Sequence, residues 1–324
     1  MFELQLINFD DCPQNLRMYG GLAGRKAGIV YNGTNYIVKY PQNLKDASMK
    51  NVVLSYSNAP VCEYLGSHIY EIMEIPVHET FLGKRQNKTV VACKDFLNHG
   101  DRLYEFREIK TTFESANEEQ NDSVSLTSGT GVDLNEILLI LNEHPIFNTL
   151  PEMKKRFWDM FIIDAFIGNS DRNNGNWGII SRFDGSLEIA PVYDNGNCLN
   201  NKWDDEKIQK FLNDKPMMET QAYKGVLCIY TENEKKINPF QYLAKTKNPD
   251  ALNSFFTLYP KLAENKNKFD ELIENTFLLS TNQKEFYKLL LNLRLKIFEK
   301  IYTDYANSSR KYKSKNKLPM LNRN

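Results

Sequence analysis

The chain reads as an α+β protein of two parts. Turn-bounded, strand-like runs gather before Phe96, whereas past Asp133 apolar residues recur at helical spacing in segment after segment. The length agrees, because 324 residues is about two domains at roughly 150 residues each.

The first informative stretch is Gly20-Gly21-Leu22-Ala23-Gly24-Arg25-Lys26, three glycines in five positions followed by two cations. Such a loop exposes backbone N–H groups to an anion and adds charge beside them. Ala27–Tyr31 is predicted as a strand and Asn32-Gly33 as its hairpin turn, since a type I′ turn needs positive φ at both central residues. Tyr36–Tyr40 returns as the partner, with Tyr36, Val38 and Tyr40 on one face and Ile37 and Lys39 on the other. Asn58–Met73 is predicted as a helix carrying Val61, Leu65, Ile69 and Ile72 at helical spacing, with Glu63 among them. Further strands are expected at Pro76–Leu82 and Thr89–Cys93, ending at Lys94-Asp95-Phe96. Residues 114–133, rich in Ser, Thr, Gly and acids and without Lys or Arg, read as a mobile insert. Helices follow at Leu134–Leu141, Pro151–Ile167, Asp204–Leu212, Asn238–Lys245, Asp250–Tyr259 and Phe269–Phe277. Pro151–Ile167 is too apolar to lie on a surface. The last helix, about Thr281–Tyr302, opens with Ser280 and Gln283 placed as a capping box. From Ser308 onward the chain is basic, lacks acids and is expected to be disordered.

Composition narrows the function. Forty-one basic and 41 acidic side chains give zero formal charge, which argues against a global basic field for nucleic acid. No run approaches the roughly 20 apolar residues of a membrane helix, and the N-terminus lacks the basic start of a secretory signal. Five scattered cysteines without CxxC spacing read as reduced thiols of a cytoplasmic protein and mark no structural zinc site.

The densest chemical signal is Ile167-Gly168-Asn169-Ser170-Asp171-Arg172-Asn173-Asn174-Gly175-Asn176-Trp177-Gly178, which leaves the apolar helix and enters a strand. That strand turns at Asp184-Gly185 and returns to Tyr193-Asp194-Asn195-Gly196. Two polar loops therefore share one end of a short hairpin. An Asp followed five positions later by Asn, with a second Asp beyond a hairpin, is an arrangement used in phosphoryl transfer. One Asp orients or deprotonates the attacking hydroxyl, and the Asn and second Asp offer the hard oxygens that Mg²⁺ prefers. Each piece alone has an ordinary reading: a turn, a flexible glycine loop, an edge lysine, a surface glutamate. Their order (glycine loop, hairpin lysine, helix glutamate, Asp-x₄-Asn, Asp-Asn-Gly) is the order a two-lobed kinase requires.

The segments GGLAGRK, NYIVKYP, Val61-Cys62-Glu63-Tyr64, VVACKDF, FWDMF, GNSDRNNGNWG and APVYDNGNCL resemble the HipA-like serine/threonine kinases, and weaker similarity continues through INPFQYLAKT into the last helices. The resemblance implies a bilobed protein-kinase-like fold: an N-lobe over 1–96, a helical C-lobe over 97–306 and a basic tail over 307–324. It implies that Asp171 is the catalytic aspartate and that Asn176 and Asp194 are Mg²⁺ ligands. By the same resemblance Gly20, Gly21 and Gly24 form the phosphate loop, Lys39 and Lys26 contact ATP phosphates, and the Lys94–Phe96 backbone meets adenine. Glu63 falls where a helix glutamate would pair with Lys39. Three departures stand out: Asn173 replaces a usual His, Tyr19–Lys26 lacks the regulatory Ser of HipA, and the extra N-terminal domain of HipA has no counterpart ahead of the glycine loop.

The function expected is therefore an ATP- and Mg²⁺-dependent protein serine/threonine kinase that also phosphorylates itself, with Ser123, Ser125, Thr127 and Ser128 as acceptor candidates. The alternatives are a phosphatidylinositol 4-kinase-like lipid kinase, suggested by DRNNGNW and APVYDNG, and a pseudokinase that only binds. The resemblance admits a toxin held by an antitoxin and an effector acting on a host-cell target.

Overall fold

The computed structural model describes residues 6–17, 19, 25–41, 57–118 and 129–315, with side chains described to residue 115 in the fourth segment's end and to residue 308 in the last. Gly20, Gly21 and Gly24 lie outside the described residues, as do Ser123, Ser125, Thr127 and Ser128.

The N-terminal part is a sheet with one helix. Strands β1 (Ile7–Asn8), β2 (Lys26–Tyr31) and β3 (Thr34–Lys39) precede helix α1 (Ala59–Ile72), and β4 (Thr80–Arg85) and β5 (Lys88–Lys94) complete a five-stranded sheet of order β1-β4-β5-β3-β2. Asn32 and Gly33 both take positive φ, as the predicted hairpin turn demands. Alternation sorts the two faces. Tyr36, Val38 and Tyr40 pack with Phe9, Ile29, Val90 and Ala92 in a small outer core. On the opposite face Val91 and Cys93 join the main core with α1. Lys39 stands opposite Val91 in the register, so it shares that inner face.

The C-terminal part begins with β6 (Arg102–Glu105), α2 (Phe106–Glu118), α3 (Leu134–Glu143) and α4 (Glu152–Ile167), which lead into the hairpin β7 (Gly178–Ser181) and β8 (Leu187–Ile189). Then come α5 (Asp205–Leu212), α6 (Lys215–Tyr223), the small hairpin β9 (Thr231–Glu232) and β10 (Lys235–Lys236), and α7 (Pro239–Lys245). Helices α8 (Pro249–Glu264), α9 (Lys266–Asn275) and α10 (Thr281–Lys315) close the fold. Helix α4 is buried from Phe157 through Ile167, in keeping with its dense apolar content, and takes Asp159 and Asp164 in with it. It stops at Gly168, whose φ of 71° is left-handed, and the polar loop starts there. The two parts are tied by a parallel bridge between Val77 and Val192, with His78 N–H donating to Val192 O and Val192 N–H to Pro76 O. The architecture is the α+β, two-lobed one expected.

The short strands β1, β6, β9 and β10 were not anticipated, the strand expected at Pro76–Leu82 lies at Thr80–Arg85, and three helices also differ from expectation. Helix α2 occupies 106–118 and so runs into the stretch read as a mobile insert; its apolar stripe is short (Phe106, Ile109 and Phe113), and the periodicity is faint among threonines and glutamates. Helix α6 was not anticipated, because its sequence is mostly polar and contributes only Met218 and Ala222 to the core. Helix α10 continues to Lys315, through the first half of the tail expected to be disordered. A packed stem nucleates the helix, after which each added residue gains a hydrogen bond whatever its charge.

Candidate active site

Lys39 is the hub. Its Nζ lies 3.0 Å from Glu63 Oε2 and 2.5 Å from Asp194 Oδ1, joining β3, α1 and the loop after β8. Burial opposes the Lys39 charge, but the carboxylates of Asp194 and Glu63 outweigh it and raise its pKa well above the ordinary value. Burial likewise opposes ionisation of Glu63, and Lys39 and His78 overcome it, holding this carboxyl far below its usual range. Asp194 is lowered chiefly by Lys39, with a smaller pull from Lys26. Lys26 sits directly opposite Lys39 in the β2–β3 register. Like charges so paired repel unless an anion lies between them.

Glu63 is 2% exposed and fully engaged. Its Oε1 accepts from Asn195 N–H at 3.0 Å and lies 3.0 Å from His78 Nε2. Asn195 Nδ2 donates to Ser67 Oγ at 3.0 Å. Glu63, expected from its place in the helix to pair with Lys39, does so and forms the floor of the site.

The Asp171 loop is built around Arg172, which is 2% exposed. Its Nε donates to Asp164 Oδ2 at 2.8 Å and its Nη2 to Asn195 Oδ1 at 2.5 Å. Its Nη1 donates to the carbonyl oxygens of Asn176, at 3.0 Å, and of Tyr193. One guanidinium thus holds the loop carrying Asn176 against the segment carrying Asp194. Burial works against the Arg172 charge, and Asp164 more than compensates, raising its pKa. Asn169 Oδ1 accepts from Asp171 N–H at 3.1 Å, and Asn176 Nδ2 donates to Asp171 O at 2.7 Å. Asn173, which stands where the family usually has His, donates from Nδ2 to Asp171 Oδ1 at 3.1 Å and accepts from Gly175 N–H at 2.9 Å. It braces the carboxylate without bringing a titratable ring.

Asp194 takes a left-handed φ of 60°, which turns the chain sharply after Tyr193. At the crossing between the lobes, Lys94 N–H donates to Glu79 O at 2.8 Å and Asp95 N–H to Asn35 O at 2.9 Å. Both amides are committed within the sheet, and the Lys94 amine pairs with Glu79. Phe96 instead presents its ring to Tyr193, with centroids 5.7 Å apart.

Of the residues expected from the sequence, Lys39, Glu63 and Asp194 are joined by ion pairs, and Arg172 ties the loop of Asp171 and Asn176 to the segment before Asp194. Sequence reasoning missed Arg172, His78 and Asn195. Arg172 and Asn195 lie inside the two polar loops, so their position was visible while their partners were not. His78 carried no signal, as a lone histidine in a predicted strand.

No family model matches the sequence. The chain is 34% identical over 321 residues to the serine/threonine-protein kinase CtkA of Helicobacter pylori, covering 98% of this chain and 94% of that protein. The crystal structure of the Helicobacter pylori proinflammatory kinase CtkA superposes with a TM-score of 0.81 at 33% identity, covering 93% of this chain and 99% of that one. HipA, in its complex with HipB and operator DNA from Shewanella oneidensis, shares the fold, with a TM-score of 0.52 at 13% identity over 90% of this chain and 66% of that one. Matched along nearly its whole length to one such enzyme, and sharing the fold of HipA, this chain belongs to the family of the serine/threonine-protein kinase CtkA.

Proposed function

We propose that the protein transfers the γ-phosphate of ATP to protein serine or threonine hydroxyls, with Mg²⁺, and phosphorylates itself. The observation that carries this is Lys39 bridging Glu63 and Asp194, with Arg172 tying the Asp171–Asn176 loop to the segment before Asp194. Lys26 and Lys39, facing each other across β2 and β3, supply paired positive charge for phosphate oxygens. Asp171, steadied at Oδ1 by Asn173, has its second carboxylate oxygen to accept or orient the proton of the substrate hydroxyl. Phe96 and Tyr193 offer an aromatic surface where the lobes meet.

The donor set fits a magnesium ion. The Asn176 amide nitrogen is committed to Asp171 O, so its oxygen is the atom the side chain has to offer, beside the Asp194 carboxylate. When bound, Mg²⁺ would neutralise charge on the phosphates during transfer.

Incubation with Mg·ATP followed by intact-mass measurement should show added phosphate. Asp171→Ala should slow its appearance by roughly 10²–10⁴-fold, the usual contribution of a general base. Unmodified protein, together with labelled phosphoinositide from vesicles in a parallel reaction, would replace this reading with a lipid kinase. No product in either reaction would leave a binding module.

A further inference from the structure

One cluster of metal-ligating groups lies behind the proposed phosphate site and shares only Glu63 with it. Glu63 on α1, His78 just before β4 and Cys93 on β5 are all buried, and the carboxylate oxygen, imidazole nitrogen and thiol sulfur each offers lie within 4.8 Å of one another. His78 Nε2 is already 3.0 Å from Glu63 Oε1. Cys93 stands on the inner face of the sheet that also carries Lys39, and burial pushes its thiol well up, so it is neutral until a metal displaces its proton. Its ordinary role is that of a small buried hydrophobe. One carboxylate, one imidazole and one thiolate, however, form a ligand set suited to zinc and poorly suited to magnesium, which wants oxygen only. Three protein ligands leave a fourth position open to a water or a further group.

We infer that Glu63, His78 and Cys93 form an inhibitory site for a borderline-soft divalent cation, with zinc as the type ligand. The ion takes Glu63 Oε1, which now accepts the Asn195 amide, and sets a second positive charge beside Lys39, so metal occupancy disturbs the segment that carries Asp194. Binding releases the Cys93 thiol proton to solvent, and the His78 proton moves to Nδ1, freeing Nε2 to ligate. Lys39 keeps its proton and its contact with Asp194. A cation fixed behind the carboxylate repels Lys39 and displaces the Asn195 amide, and phosphate transfer slows. This site is separate from Asn176 and Asp194, where zinc could also displace magnesium.

Two readouts on the full chain test the inference. In the first, phosphate transfer is titrated with buffered free zinc at saturating Mg·ATP, for the wild type and for Cys93→Ala, whose side chain does not enter the transfer machinery. The variant should need about 10–100-fold more zinc for half inhibition, at least the loss typical of removing a metal's outer support. Equal sensitivity would place the inhibition at the magnesium ligands and overturn the inference, and so would an insensitive wild type. In the second, cobalt is added to nucleotide-free protein. A thiolate-to-cobalt absorption band should appear in the wild type and vanish in Cys93→Ala. A missing band in the wild type, or one that survives the substitution, overturns the site. The cobalt measurement needs no catalysis, so an inactive enzyme would count against the kinase reading and leave this one standing or falling by the spectrum.

Discussion

Glu63 shows how much one buried side chain carries. Removing its charge leaves Lys39 with Asp194 alone and reduces the acceptor shared by His78 and the Asn195 amide to a neutral amide oxygen. Breaking a buried pair costs about 3–5 kcal/mol, and because Lys39 retains one partner the lower end is expected for Glu63→Gln. The pH dependence has a defined sign. The folded-state pKa of Glu63 is depressed, so its contribution is complete above the unfolded value, about 4.3, and declines as pH falls through that range toward the folded value. Lys39 behaves oppositely: its raised pKa gives stability that is complete below about 10.4 and lost only as pH rises through the folded value. Urea unfolding at several pH values should therefore show the gap between wild type and Glu63→Gln narrowing from pH 6 to pH 3. A constant or widening gap would contradict this account of the pair.

At the scale of elements, short-range rules performed well where a pattern is repeated or a residue type is demanding. The start of α10 is one such place: Ser280 N–H donates to Gln283 Oε1 and Gln283 N–H to Ser280 Oγ, both at 3.1 Å, so the capping box is complete. Ser280→Ala removes that acceptor, and also the 2.8 Å bond from its hydroxyl to Asp205. It should cost about 1 kcal/mol in a denaturation midpoint without changing phosphate transfer. The β2–β3 hairpin and α4 were equally legible, one from Asn32-Gly33 and the other from its dense apolar run between Phe157 and Ile167. Helix α2 was not, because Lys110, fully buried and paired with Glu114 and Glu136, occupies a position where a pattern reader expects a hydrophobe.

Across the whole molecule, the site exists only when both lobes are folded and joined, since Lys39 and Glu63 belong to one and Asp171, Asn176 and Asp194 to the other. A ligand spanning them should stabilise the global fold. At a Mg·ATP concentration 100 times its Kd the gain should be about 2.7 kcal/mol, measured as a raised unfolding midpoint. Asp194→Ala should lose most of that gain while unfolding cooperatively, and a full gain in the variant would remove Asp194 from the nucleotide site. The sequence by itself determined the inventory and its order: a lysine on a hairpin strand, a glutamate in a helix, Asp171 and Asn176 in one polar loop and Asp194 in the next. Only the tertiary structure decided the partnerships. Lys39 meets Asp194 across 155 positions, His78 reaches Glu63, and Arg172 binds Asp164, Asn176, Tyr193 and Asn195 together. Local pattern reports which face a side chain takes, whereas the partner of a buried charge is set by chain segments that come together only when the core forms.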